Sequence, residues 1–315
     1  MRQIWLERGK VAIRWIVVAS TIFILFRVAS DHRADLAAID LDFNIFWLVN
    51  AAIATTAANL LLPLGWRRIV ISFGQVLHAG QAVRLWCLAQ TARYLPTGLL
   101  AIASRLQLAA KAGISRSITA SSIAIETAVL FAWALLVCAI FVPSTTLPEL
   151  TRWLAGIACA LALSASPWLI PFVGRRLSSI QTLSPVQPHP RLLAEGVSLL
   201  GVSVAARAVG TTCLAVGFLK IDGADVPLIV GAAYAGVAAG MVGITPAGLG
   251  VREGVITAVL ASRFGLGDAA AFALLSRAWE FAFEMVFLGA ASWWGRGQQY
   301  KGRPEKGSSI PEAKL

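Results

Sequence analysis

The sequence predicts an all-helical protein that crosses a membrane several times. Of its 315 residues, 57% are hydrophobic and only 14% are charged. Soluble domains are about a quarter charged. The apolar residues also gather in runs of the length a helix needs to cross the hydrocarbon layer, about 20 residues. A third observation refines the class. Two apolar regions are too long for one crossing, and each is cut near its middle by a Pro-x-Gly. The expected architecture is about six full transmembrane helices plus two Pro/Gly-broken helical hairpins, arranged as an inverted repeat.

The elements follow in order. Val11–Ala29 comes after a basic start. It is long and has no small-residue cleavage site, so it is expected to be a retained helix rather than a signal peptide. Ile45–Leu62 is the second crossing. Gln75–Ala110 is the first broken region, interrupted at Pro96-Thr97-Gly98, and Ile118–Val142 follows it. Trp153–Val173 and Leu192–Leu219 are plain crossings. Val226–Ser262 is the second broken region, interrupted at Pro246-Ala247-Gly248, and Ala269–Trp294 closes the series. Proline removes a helical donor and glycine permits turn conformations, so each broken region reads as two arms. The chain divides into a first membrane repeat at 1–145 with its hairpin at 75–110, a second at 146–296 with its hairpin at 226–262, and a disordered basic tail at 297–315.

Charge sets the expected sidedness, because Lys and Arg concentrate in cytoplasmic loops. If each broken region enters and leaves on one side, 16 of the 27 Lys and Arg residues fall on the side of both termini. These lie in Met1–Lys10, a Trp66-Arg67-Arg68 loop, Arg105–Arg116, Arg175–Arg191 and the end of the chain from Arg296. Arg33, Arg152, Lys220 and Arg263 fall opposite, beside the acidic stretch Asp31, Asp35, Asp40 and Asp42. The expected location is the inner (cytoplasmic) membrane with both termini in the cytoplasm. The same sidedness holds whether the broken segments are re-entrant or fully spanning. The net charge of +11 does not indicate nucleic acid, since the basic residues flank apolar runs and form no separate polar face. Cys87, Cys138, Cys159 and Cys213 are scattered and form no CxxC, so no zinc site or disulfide framework is expected, and no cofactor.

The two broken regions resemble each other. RYLPTGLLAIASRLQLAAKAGIS and GITPAGLGVREGVITAVLASRFGLG both carry Pro-small-Gly-Leu. A glycine follows the proline by 17 residues (Gly113) or 19 (Gly265). A long helix then brings a charge 13 positions on at Glu126, or 12 positions on at Arg277. Helix, helix, broken pair, helix occurs twice, with the broken pairs on opposite sides. That is the order of an inverted repeat.

Charges remain inside apolar segments: Arg84, Arg93, Arg207, Arg252 and Arg277, with Glu126, Glu253, Glu280 and Glu284. An ionised group at the centre of a transmembrane helix costs about 2.5–3.5 kcal/mol even on a lenient scale. These residues must pair or face water. Arg277, Glu280 and Glu284 are spaced i, i+3, i+7 and share one helix face. A helix starting near Gly248 would present unpaired N–H groups and the positive end of its dipole, an anion site. The same holds after Pro96, near Gly98, with Arg93 upstream and Arg105 beyond. Glycines at Gly248 and Gly250 would let a ligand approach the backbone. Substrate binding is therefore assigned to Arg84, Arg93, Pro96, Gly98, Arg105, Pro246, Gly248, Gly250, Arg252 and Arg277. Charge balance or proton coupling is assigned to Glu126, Glu253, Glu280 and Glu284.

These residues carry a family likeness. In Arg93-Tyr94-Leu95-Pro96-Thr97-Gly98 and Pro246-Ala247-Gly248-Leu249-Gly250-Val251-Arg252-Glu253, the chain resembles the lysylphosphatidylglycerol synthase transmembrane region, the flippase-like domain family. Arg105, Glu126 and Arg277 look like that family's charged positions. Thr97 and Ala247 stand where the family has glycine, so a positive φ is not expected there. The resemblance implies lipid translocation between leaflets. No aminoacyl-transferase domain follows the last helix, so lipid aminoacylation is not expected. The function expected is a flippase for a lipid with a phosphate-bearing head group. A lipid-modifying enzyme using Glu253 or Glu280 as base, or a membrane partner of a glycosyltransferase or lipid-synthesis enzyme, are the alternatives. No Walker lysine motif marks ATP as the energy source.

Overall fold

The computed structural model describes residues 44–90, 99–142, 148–176, 186–219, 221–242 and 246–298. The expected first helix, the first break with Arg93, Pro96 and Gly98, and residues 299–315 of the tail lie outside them. The described chain is helical: α1 Ile45–Ser72, α2 Ala79–Gln90, α3 Leu99–Lys111, α4 Arg116–Phe141, α5 Glu149–Arg176, α6 Pro190–Phe218, α7 Val226–Val242, α8 Val251–Phe264 and α9 Leu266–Gln298. Five segments are long and apolar enough to cross a membrane: α1, α4, α6, 149–173 of α5, and 223–242 with α7. The protein thus has the architecture of a multi-pass membrane protein.

The second broken region is two-armed as expected, α7 with α8, and α2 and α3 are the described helices on either side of the first break. One loop is not as expected. Trp66, Arg67 and Arg68 lie within α1, which runs on through Pro63 to Ser72. A neighbouring helix can hold the backbone where proline removes a bond, and α6 packs along the whole of α1. The basic pair finds partners without leaving the helix. Arg67 Nε donates to the Leu77 carbonyl at 2.6 Å, and Arg68 meets Glu195 of α6 at 3.2 Å.

The α1–α6 pair is the axis of the fold, and small residues make it. Ala51, Ala58, Gly65 and Ser72 recur every seven residues on α1, and Gly196, Ser203, Gly210 and Gly217 do so on α6; all are buried. The two series meet antiparallel. A Cβ on Gly196 would sit 3.1 Å from the Gly65 carbonyl, and one on Gly210 would sit 3.4 Å from the Ala51 carbonyl. Ser203 Oγ donates to the Ala58 carbonyl at 2.9 Å, and the His189 N–H to the Ser72 carbonyl at 2.8 Å. Lipid supplies no hydrophobic drive between helices, so close backbone approach through small residues holds them. The arms α7 and α8 meet the same way. A Cβ on Gly236 would lie 3.0 Å from the Arg252 carbonyl, and one on Gly248 would lie 2.9 Å from the Gly240 Cα.

Candidate functional site

The second break is a turn of unusual backbone. Gly248 and Gly250 take φ of 69° and 82°, as glycine allows. Ala247 takes φ 53°, ψ 20°. The left-handed conformation not expected at this alanine is therefore adopted, at a cost of about 1–2 kcal/mol. Arg277 of α9 holds it there. Its Nη2 donates to the Ala247 carbonyl at 3.2 Å, and its Nε lies 3.6 Å from Glu253 Oε1. Glu253 also turns back on its own helix and accepts from the Gly250 N–H at 2.7 Å. The negative charge at the start of α8 is thus the chain's own carboxylate, bonded to the N–H of the cap residue Gly250. The dipole and the free N–H groups that make such a terminus attract anions are the physical reason. Pro246 begins the turn.

Next to this turn, Glu280 is surrounded by arginines. Arg252 grips it with both terminal nitrogens, Nη1 to Oε2 at 2.5 Å and Nη2 to Oε1 at 2.7 Å. Arg207 of α6 reaches Oε1 at 3.3 Å and donates to Asn59 Oδ1 of α1 at 2.7 Å. Arg277 Nη1 stands 3.9 Å from Oε2. Glu280 and Arg277 are only 9% and 5% exposed, so these charges are largely withdrawn from solvent. The expected i, i+3 face of α9 is realised here.

The cluster forms one wall of a cavity of about 340 Å³. Asn59 and Leu62 of α1, Leu130 and Ala134 of α4, and Ser203, Val204 and Arg207 of α6 line it. All fall near the middles of helices long enough to cross the membrane, so the cavity lies near mid-depth. Both broken regions reach it. Trp86 and Gln90, at the end of α2, face it from one side; Gly240, Met241, Ala247, Gly248 and Arg252 face it from the other. Glu284, one turn beyond Glu280, completes the lining. Tyr234 of α7 also lines it, its hydroxyl donating to the Val204 carbonyl at 2.5 Å.

Two expected ligands of substrate stand elsewhere. Arg105 lies in helix α3, not in a loop, and does not line the cavity. It is 9% exposed and pairs with Glu126 of α4 at 2.6 Å, its guanidinium 4.2 Å above the Trp66 ring. Trp86 Nε1 donates to the other oxygen of Glu126 at 2.9 Å. A buried arginine needs such compensation, and the nearest carboxylate provides it. Arg84 is on α2 but turned from the face that presents Trp86 and Gln90, and it does not line the cavity. Arg207, Asn59, Ser203 and Tyr234 belong to the wall although the binding assignment omitted them. Arg207 and Asn59, the latter within Ala57-Ala58-Asn59-Leu60-Leu61-Leu62, were the available signal, since polar groups inside apolar runs need a partner. The chain matches no protein-family model and no curated protein.

Proposed function

We propose that the protein moves a lipid with a phosphate-bearing head group between the leaflets of the inner membrane, both termini lying in the cytoplasm. The observation that carries this reading is the mid-depth cavity, lined by the end of α2 and by the turn of the second break, beside Arg207 and Arg252. Paired arginines suit phosphate because their fork presents several donors to its oxygens. The lining also includes the apolar Leu62, Leu130 and Val237, which suits the start of an acyl chain. At about 340 Å³ the cavity is near the lower bound of small-molecule sites, enough for a head group rather than two chains. Arg277 and Glu253 position the turn in this reading; Glu280 and Glu284 balance charge.

An inverted repeat fits the packing. α1 and α6, the second plain helix of each proposed half, meet antiparallel through matching seven-residue series. α4 packs on α7 while α9 packs on α2, the same exchange made from either half. In each half an arginine on the arm after the break pairs with a glutamate on the next helix, Arg105 with Glu126 and Arg252 with Glu280. The resemblance to the lysylphosphatidylglycerol synthase transmembrane region points the same way.

The test is leaflet exchange of fluorescent phosphatidylglycerol in proteoliposomes, read by dithionite quenching. Arg252→Ala should slow exchange about tenfold or more, the worth of one charge-assisted hydrogen-bonded contact. Protein-free vesicles give the baseline. Exchange at that baseline for the intact protein sinks the reading. A change in lipid mass would instead indicate an intramembrane enzyme, and copurification with a glycosyltransferase or lipid-synthesis enzyme, without exchange, a membrane partner.

A further inference from the structure

We infer that the Glu280 carboxylate is a built-in competitor of the substrate's phosphate, holding the arginine pair while the cavity is empty and yielding it on loading. This rests on the reading of the cavity as a phosphate site. Glu280 occupies the place such a group would take, since its two oxygens meet both terminal nitrogens of Arg252 and one of Arg207. A tetrahedral phosphate entering from the cavity would need those same donors, so the two anions exclude each other.

Displacement leaves no charge alone. Arg277 already stands 3.9 Å from Glu280 Oε2 and 3.6 Å from Glu253 Oε1. In the loaded state Arg207 and Arg252 hold the phosphate, while Arg277 holds the two carboxylates. Stranding a buried charge is the costly step in such an exchange, and the third arginine avoids it. Arg277 also binds the Ala247 carbonyl, so drawing Glu280 towards it links head-group arrival to the turn of the second break. The competitor also gives release a route, because Glu280 can retake the arginines as the phosphate leaves. A site with uncompensated arginines would bind an anion tightly and release it slowly.

The inference makes binding and exchange move in opposite directions. A resident competitor lowers apparent affinity by the fraction of time it leaves the site open. If Glu280 holds the arginines nine-tenths of the time or more, Glu280→Gln should bind about tenfold tighter or better. The same variant should exchange lipid more slowly, having lost its means of release. The measurement is a titration of detergent-solubilised protein with dihexanoyl phosphatidate, inorganic phosphate and, lacking phosphate, dihexanoylglycerol. Glu195→Gln, which removes the same charge far from the cavity on the Arg68 and Arg191 side of α6, should not gain affinity.

A gain confined to phosphatidate supports both the competitor and a lipid ligand. A gain with inorganic phosphate alone keeps the competitor and moves the ligand to free phosphate. Equal or weaker binding of both phosphatidate and inorganic phosphate by Glu280→Gln, with the intact protein still binding, overturns the competitor and leaves the proposed function standing. No phosphatidate or phosphate binding by either protein removes both. Should the Gln variant not fold, Glu280→Asp, which withdraws the carboxylate by one methylene, should give a smaller gain of the same sign; a loss there overturns the inference equally.

Discussion

The Arg105–Glu126 pair should be replaceable as a unit but not in parts. Arg105 is buried, its Nε and Nη2 without hydrogen-bond partners among the described residues, where its compensation is the 2.6 Å contact with Glu126 and the stack on Trp66. Glu126 is 4% exposed and takes one further hydrogen bond, from Trp86. Glu126→Gln keeps an acceptor for Trp86 but leaves the guanidinium alone. Arg105→Met keeps the volume over Trp66 but leaves the carboxylate alone. Each single change strands one buried charge and should cost about 3–5 kcal/mol. The double variant strands none and should return to within about 1 kcal/mol of the parent, since apolar replacement of a buried pair is often neutral. The coupling between the two sites should therefore exceed about 2 kcal/mol. Reversible unfolding in mixed dodecylmaltoside and SDS micelles measures all four corners of the cycle. Because the pair does not line the cavity, the double variant should also retain lipid exchange. Two single costs below about 1 kcal/mol that simply add, or a stable double variant without exchange, would refute the reasoning.

Two substitutions at the second break should act with opposite sign. Gly248→Ala adds a Cβ 2.9 Å from the Gly240 Cα at φ 69°, so it should destabilise by about 2–4 kcal/mol from backbone strain and crowding, seen as a lower unfolding midpoint. Ala247→Gly relieves a left-handed alanine and should be neutral to about 1 kcal/mol stabilising in the same experiment. On the central seam, Gly196→Leu should prevent α1 and α6 from closing, since even a Cβ there meets the Gly65 carbonyl at 3.1 Å; loss of monodisperse protein on size exclusion checks it.

The described helices were legible because hydrophobic length is the strongest signal a membrane imposes, and Pro246 marked where the second long run breaks. The α9 face of Arg277, Glu280 and Glu284 was legible for the same reason, as helical spacing places i, i+3 and i+7 together. Partners were not. Nothing local tells whether Arg105 faces a cavity or a carboxylate, because Glu126 is brought to it by the packing of α3 on α4. Glu253 looked like a partner for arginine and is also a cap, a role set by how the turn at Gly250 folds back. The extent of α1 was hidden by Pro63 and two arginines, features that end helices in water but not beside another helix. One signal was present and unread: the seven-residue recurrence of small residues in Ile45–Ser72 and again in Pro190–Phe218.

The two halves of the proposed repeat differ where a duplicated site would be expected to match, and on the proposed function the difference divides their work. Arg105 and Glu126 are sealed by Trp66, Trp86 and Ser122, with Trp66 Nε1 donating to Ser122 Oγ at 3.0 Å. Arg252 and Glu280 face the cavity and share it with Arg207 and Arg277. A sealed pair has no competing ligand and can only hold helices in register. An open pair flanked by two further arginines, Arg207 and Arg277, has other partners within reach. Trp86 joins the two, since it lines the cavity with its ring and binds Glu126 through its nitrogen. On the proposed reading, the first half therefore supplies a fixed wall, and the exchange of ion pairs that accompanies loading is confined to the second.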